Sequence, residues 1–353
     1  RLQSKQRSLL RNYQQQNRDY LTLLQSLTSG VIVFDQRKET VLYNHVLASI
    51  LNTTELKGQP FYQVFTAVEL IAVTQKVYQT KEDQRLLWQK KVAQGNEWFE
   101  VQVVYVPLSR HHYSVMCIFN DVTEIKQLEV KQREFMANAS HELKTPLTAI
   151  QGFSETLLAG ALDDKKTARD FVQIIFEQSQ QLTELIEDIS ALAHNKKTQE
   201  LKLEQIKLKA FCEQILTSYL AQSKAKNLTL EVQIPDDFEI NCDIKYLQHI
   251  VSNLIQNAIR YNVVDGKLKI TATSSANEWC LVVYNTGQTL ANADKERIYE
   301  RFYRADKARS AEGSGLGLAI VKEAVEALSG QIVVTSPYKN GTKFTVTLPL
   351  FLT

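Results

Sequence analysis

The chain has 353 residues, 44% hydrophobic and 23% charged, which is an ordinary globular composition with room for two or three domains. A formal net charge of +2 argues against nucleic acid or a basic membrane patch. Cys117, Cys212, Cys242 and Cys280 are scattered without CxxC spacing, which argues against a zinc site or a disulfide framework and suits a reducing cytosol.

The chain opens on Arg1 rather than methionine, has no signal peptide, and contains no apolar run near the roughly 18 residues of a membrane span. The expectation is an excised fragment. Residues 1–28 are polar and free of proline, with Leu9, Leu10, Tyr13, Tyr20, Leu23, Leu24 and Leu27 at helical or heptad spacing, which predicts a helix pairing with its copy. From Gly30 the period becomes that of strands. Val31–Asp35 and Thr40–Asn44 predict a hairpin, helical segments follow over His45–Leu51 and Tyr62–Thr80, and three further strands run to about Glu124. His45, His111 and His112 lack other ligand-like residues at useful spacing, so neither haem nor a metal is expected there.

A helix is predicted from near Val122 to about Leu158. In its second half Phe135, Ala139, Leu143, Leu147, Ile150, Phe153 and Leu157 fall within one arc of roughly 120°. His141 projects to nearly the opposite side, into water. A neutral imidazole is a nucleophile near pH 7, and the adjacent Glu142 can take the ring proton as the other nitrogen attacks. Pro146 lacks an amide hydrogen and predicts a bend just after the histidine. After a polar break at Asp163–Thr167, Phe171, Ile174, Ile175, Gln178, Leu182, Leu185, Ile186, Ile189 and Leu192 predict a second amphipathic helix. The resulting hairpin still has an apolar face to hide, which pairing with a second copy would do.

A polar linker covers residues 194–200, and beyond it strands and helices alternate without a P-loop, HRD or DFG motif. Three clusters stand out. Asn253, Asn257, Arg260 and Tyr261 share one face of a predicted helix, offering amide oxygens suited to Mg²⁺ and a guanidinium suited to phosphate. Gly313, Gly315 and Gly317 let backbone amides approach phosphate and open a helix whose positive end faces it, after a charged segment that reads as a mobile lid. Val282–Leu290 is a strand running into a turn, with a closing strand pair around 330–334 and 341–348.

The string His141, Glu142, Leu143, Lys144, Thr145, Pro146 and Leu147 resembles the phospho-acceptor box of bacterial two-component sensor histidine kinases, and the three later clusters resemble the N, D (G1), F, G2 and G3 boxes of their ATPase domain. The segment before them resembles a PAS sensor domain in its order of strand pair, short helices and three antiparallel strands, ending on Asn120–Glu124. Within the kinase family the chain looks most like the phosphate-regulon or cell-wall sensor kinases of Gram-positive bacteria. The resemblance implies a multidomain α+β chain: a juxtamembrane helix at 1–28, a PAS domain at 29–124, a histidine phosphotransfer hairpin at 125–195 forming a dimeric antiparallel four-helix bundle, and a Bergerat-type α/β sandwich ATPase domain at 200–353. It further implies ATP and Mg²⁺ as cofactors, a homodimer, a response-regulator receiver domain as partner, an upstream transmembrane segment, and placement as the cytoplasmic portion of a membrane protein.

Carried over residue by residue, the resemblance implies that His141 is phosphorylated with Glu142 as base, and that Thr145 positions water for dephosphorylation of the regulator. Asn257 would bind Mg²⁺, Asn253 would lie by the γ-phosphate, Arg260 would take the usual lysine's place on the phosphates, and Tyr261 would line the adenosine pocket. Arg304, Gly313, Gly315 and Gly317 would hold the triphosphate from the lid side, with Leu316 among the cofactor-binding residues and Gly287 and Thr342 at the base. One departure matters: the family's DxGxG reads Asn285, Thr286, Gly287, Gln288, Thr289, so the adenine-binding aspartate is an asparagine. The alternatives are a nucleotide-impaired phosphatase or scaffold, and an Hsp90- or mismatch-repair-type ATPase, which would not need the acceptor box.

Overall fold

The computed structural model describes residues 15, 18, 19, 22–53, 55–93, 95–109, 112–194, 201–305 and 313–350. The chain divides into two units, Arg1–Arg133 and Glu134–Thr353. The expected helix over 1–28 falls mostly outside the described residues, as do His111, most of the linker after His194 and the centre of the expected lid. Among the described residues no helix is long and apolar enough to cross a membrane.

In the first unit, β1 (Gly30–Phe34), β2 (Thr40–Tyr43), β3 (Gln84–Val92), β4 (Gly95–Ser109) and β5 (His112–Asp121) form one antiparallel sheet in the order β2-β1-β5-β4-β3. The helices α1 (His45–Leu51), α2 (Phe61–Val64) and α3 (Val68–Thr80) lie between β2 and β3 in sequence. Alternation along β4 sends Phe99, Val101 and Val103 inward. The core is aromatic: Phe34 meets Phe61 and Phe65 edge-on, with centroids 6.0 and 5.6 Å apart. That packing explains a difference from the helix expected over 62–80. Phe65 leaves the helical conformation (φ −93°, ψ 125°) and is almost wholly buried, so the chain breaks into α2 and α3 to deliver its ring to the core.

A single helix, α4 (Thr123–Leu158), carries the chain into the second unit with Pro146 inside it. The 3₁₀ turn Ala161–Asp163 then reverses the chain into α5 (Lys165–His194), and Phe153 meets Phe171 across the hairpin at 5.1 Å. The remainder is an α/β sandwich. Its sheet runs β11 (Gln331–Tyr338), β12 (Gly341–Pro349), β10 (Glu278–Thr286), β9 (Lys267–Ser274), β7 (Thr229–Gln233) in spatial order, parallel only between β7 and β9. A separate pair joins β6 (Leu203–Lys207) to β8 (Glu239–Asp243). Helices α6 (Leu208–Ser218), α7 (Leu220–Ala225), α8 (Ile244–Arg260) and α9 (Gly317–Ala327) complete it. The apolar side of α8, Leu247, Ile250, Val251, Leu254, Ile255 and Ala258, is fully buried in the same core as Leu268, Ile270, Leu281, Val283 and Val346 from the sheet. Each Leu, Ile or Val among them contributes about 1.5–3 kcal/mol on burial, and the packing leaves the polar side of α8 facing away from the sheet.

Candidate active site

The polar side of α8 forms one wall of a cleft of about 930 Å³ lined by Asn253, Asn257, Arg260 and Tyr261, within the size range of small-molecule sites. Local chemistry holds the helix ends. Asp243 caps the start, its two carboxylate oxygens accepting from Lys245 N (3.0 Å) and Lys202 N (2.9 Å). Lys226 Nζ donates to the carbonyls of Ile259 (3.0 Å), Arg260 (2.6 Å) and Asn262 (3.3 Å) at the other end. An ammonium there offsets the negative pole of the helix next to the cleft. The Asn253 amide donates to His249 O at 2.9 Å, so its oxygen remains as the group it presents.

The opposite wall comes from the ends of β10 and β12. Asn285 is buried (3% exposed) and lines the cleft, its amide nitrogen donating to Thr286 O at 2.9 Å. That bond fixes the amide so that an oxygen acceptor is left toward the cleft. Thr342 also lines it; the Thr342 hydroxyl donates to Gln288 O at 3.0 Å and lies 3.1 Å from Ser336 Oγ. Gly287 does not line the cleft. Its φ is +116°, and a Cβ there would come within 2.5 Å of Tyr261 O, so glycine lets the turn after β10 close onto the end of α8.

The third wall is the glycine loop before α9. Gly313 and Gly315 have φ of +104° and +70°, and Gly313, Gly315, Gly317 and Arg304 all line the cleft. Gly313 packs on the Arg260 guanidinium and Gly317 on the Asn253 amide, which ties the loop to α8. Leu316, expected among the cofactor-binding residues, keeps its backbone amide on the loop, donating to Ser314 Oγ at 3.2 Å, while its side chain turns away from the cleft. It is fully buried in an apolar cluster with Ile320 and, from α5, Leu185 and Leu192.

That cluster seats the α/β sandwich on the hairpin, with Phe135, Leu143, Ile189 and Phe302 packed around it. The apolar arc of α4 is therefore divided. Phe135 meets Phe302 at 5.6 Å, Phe153 meets α5, and Leu147 stays 55% exposed. Glu142 and Pro146 line the cleft; Pro146 deprives the Glu142 carbonyl of its helical donor. His141 is exposed and does not line the cleft, and Thr145, also exposed, donates its hydroxyl to His141 O at 3.3 Å.

The cleft also gathers residues that sequence reading missed: Lys226, and Glu184 and Asp188 from α5. Asp188 Oδ2 accepts from Ser314 Oγ at 3.0 Å. Burial pushes its carboxyl up to about 6, against the Ser314 bond that lowers it. Burial likewise pushes His249 below its usual value. The signal for Asp188 was a single acidic residue on the apolar side of α5, between Leu185 and Ile189.

Two family models match the chain: the His Kinase A (phospho-acceptor) domain over residues 131–197, and the histidine kinase-, DNA gyrase B- and HSP90-like ATPase over residues 242–352. Sensor histidine kinase WalK of Bacillus subtilis is 28% identical over 345 residues, covering 95% of this chain and 56% of its own length. Sensor protein kinase WalK of Staphylococcus epidermidis is 32% identical over 240 residues, covering 66% of this chain and 39% of its own length. The chain thus spans about half the length of the curated relatives it matches. Among solved structures, histidine kinase ThkA in complex with response regulator protein TrrA aligns over 94% of this chain and 98% of its own at 20% identity and a TM-score of 0.51, a likeness of fold. With the acceptor box and the ATPase fold each matched in place, the chain belongs to the sensor histidine kinases.

Proposed function

We propose that the chain is an ATP-dependent protein-histidine kinase, the catalytic portion of a two-component sensor. The observation that carries this reading is the cleft. Three clusters far apart in sequence, on α8, on β10 and β12 and on the glycine loop, line it together with Glu142 of the acceptor box. In this reading Asn285 accepts from the adenine amino group, Tyr261 and Thr342 flank the base, and Arg260 and Arg304 with the amides at Gly313, Gly315 and Gly317 hold the phosphates. Asn257 and Asn253 offer hard amide oxygens beside them, a donor type that fits Mg²⁺, with Asn257 as its ligand. Mg²⁺ bound there would neutralise charge on the transferring group.

His141 attacks the γ-phosphorus through one ring nitrogen, the bond to the β,γ-bridging oxygen breaks, and ADP leaves, while Glu142 takes the proton from the other nitrogen. His141 stands on water and Glu142 on the cleft, so the ATPase fold must shift on the hairpin to bring phosphate to the imidazole. The phosphohistidine then serves an aspartate of a response regulator, and in the opposing phosphatase reaction Thr145 would direct water to hydrolyse the regulator's phosphoaspartate to inorganic phosphate. The first unit, with its strand pair, short helices and three antiparallel strands, is read as a PAS sensor domain at 29–124, followed by the phosphotransfer hairpin at 125–195 and the catalytic domain at 200–353. The whole is read as the cytoplasmic part of a membrane-anchored homodimer.

Incubation with γ-labelled ATP and Mg²⁺ tests the reading. Acid-labile, alkali-stable label on the wild type and none on His141→Gln is the expected result. No label on the wild type, with no nucleotide binding by calorimetry, would leave a regulator phosphatase or scaffold instead.

A further inference from the structure

The bundle helix α5 brings two carboxylates, Glu184 and Asp188, into the cleft that also holds Arg260 and the glycine loop. Asp188 goes furthest in. Its Oδ2 accepts from the hydroxyl of Ser314, between Gly313 and Gly315, and the same hydroxyl accepts from Leu316 N at 3.2 Å. Leu185, Leu192, Leu316 and Ile320 lock the two elements together beside this contact. An acidic side chain is therefore held on the loop whose amides, in the reading above, receive phosphate. We propose that Asp188 is an autoinhibitory contact: in this docked arrangement its carboxylate stands at the phosphate end of the cleft, so that ATP uptake and docking of the ATPase fold on the hairpin oppose one another.

The opposition follows from charge. A triphosphate entering beside Arg260 and the glycine loop meets an anion already desolvated there, with Glu184 close by, so nucleotide favours the undocked arrangement and docking weakens nucleotide by the same factor. The groups that set the Asp188 charge are Glu184 and Glu187 on its own helix, and Arg260, Ser314 and Tyr219 from the opposing elements. Burial holds its carboxyl up to about 6. The opposition is therefore full well above that pH and fades as the group takes up a proton below it.

The inference rests on the nucleotide reading, and the experiment separates the two. ATP with Mg²⁺ is titrated by calorimetry into the full chain, wild type and Asp188→Asn, at pH 8 and at pH 5.5. Asparagine keeps the shape and the acceptor for Ser314, and coincident circular dichroism spectra establish that the variant is folded. The expected result is affinity about tenfold tighter for Asp188→Asn at pH 8, a coupling of the usual size, with the two proteins converging at pH 5.5. Equal, measurable affinities at pH 8 would overturn the contact alone. Weaker binding by Asp188→Asn would overturn it too, and would assign the carboxylate to holding the nucleotide's metal ion. Absence of binding by either protein would overturn the nucleotide reading and this inference with it.

Discussion

Asn285 shows what one atom changes in a site of this kind. An aspartate there would give the adenine amino group a charge-assisted acceptor, whereas the amide gives a neutral one. The amide nitrogen is employed, however, as the donor to Thr286 O at 2.9 Å. Asn285→Asp therefore exchanges a donor for an oxygen facing a carbonyl in a site that is 3% exposed. Two opposite effects are expected: ATP affinity rises about fivefold, for roughly 1 kcal/mol of charge assistance, while the nucleotide-free protein loses about 1–2 kcal/mol of stability. Calorimetry reads the first and thermal melting the second; unchanged affinity would mean that adenine is not read at this position. Residues whose chemistry is unusual for their setting were legible in this way from the sequence alone. Two asparagines on an apolar helix and a solvent-facing histidine before Pro146 both fall in that class. The burial of the Leu316 side chain and the bond between Asp188 and Ser314 were not legible, because each depends on which face of α5 meets the glycine loop, a tertiary fact that no periodicity encodes.

At the scale of elements, hydrophobic period located β1 to β4 and the long helix α4 to within two residues, because alternation in β3 and β4 and the 3.6-residue stripes of the long helices are strong signals, whereas β6 to β9 were read only as unspecified alternating segments. The break between α2 and α3 escaped it, since Phe65 suits helix locally and yields to core packing. Asn44 is the element-scale counterpart of Asn285. Fully buried, it ends β2, caps α1 by accepting from Leu47 N (3.1 Å), accepts from Val31 N (2.9 Å) and donates to Ser29 O (2.8 Å). Strand, helix and preceding loop are thereby joined through one amide. Asn44→Ala strands two amide hydrogens and a carbonyl without water, so the first unit is expected to lose about 2–3 kcal/mol. Urea unfolding followed by fluorescence of Trp88 and Trp98 checks this, and a loss under about 0.5 kcal/mol would show that the loop readily finds other partners.

At the scale of the whole molecule, the hairpin leaves large apolar side chains in solvent. Ile125, Met136, Leu147 and Leu158 of α4 are 58%, 58%, 55% and 81% exposed. They recur at a constant spacing of about three turns, which keeps them on one line along the helix and turns His141 well away from that line. On α5, Val172, Phe176 and Ile186 are 54%, 56% and 53% exposed and share a face. Large apolar side chains left in water on both helices of a hairpin mark an interface. A second copy paired as a four-helix bundle, as proposed above, would cover them, each contributing about 1.5–3 kcal/mol when fully buried, against the entropy of association. The double variant Leu158→Glu with Phe176→Glu places charges in that seam while altering side chains that the lone chain leaves in solvent. The wild type is expected to sediment as a dimer and this variant as a monomer at the same concentration, with an unchanged circular dichroism spectrum and unchanged ATP affinity, because neither position lines the cleft. A variant that remained dimeric would place the interface elsewhere on the chain. A monomer that still labelled His141 would show that the cleft serves the histidine of its own subunit, whereas loss of label with nucleotide binding intact would mean that each cleft serves the histidine of the other copy.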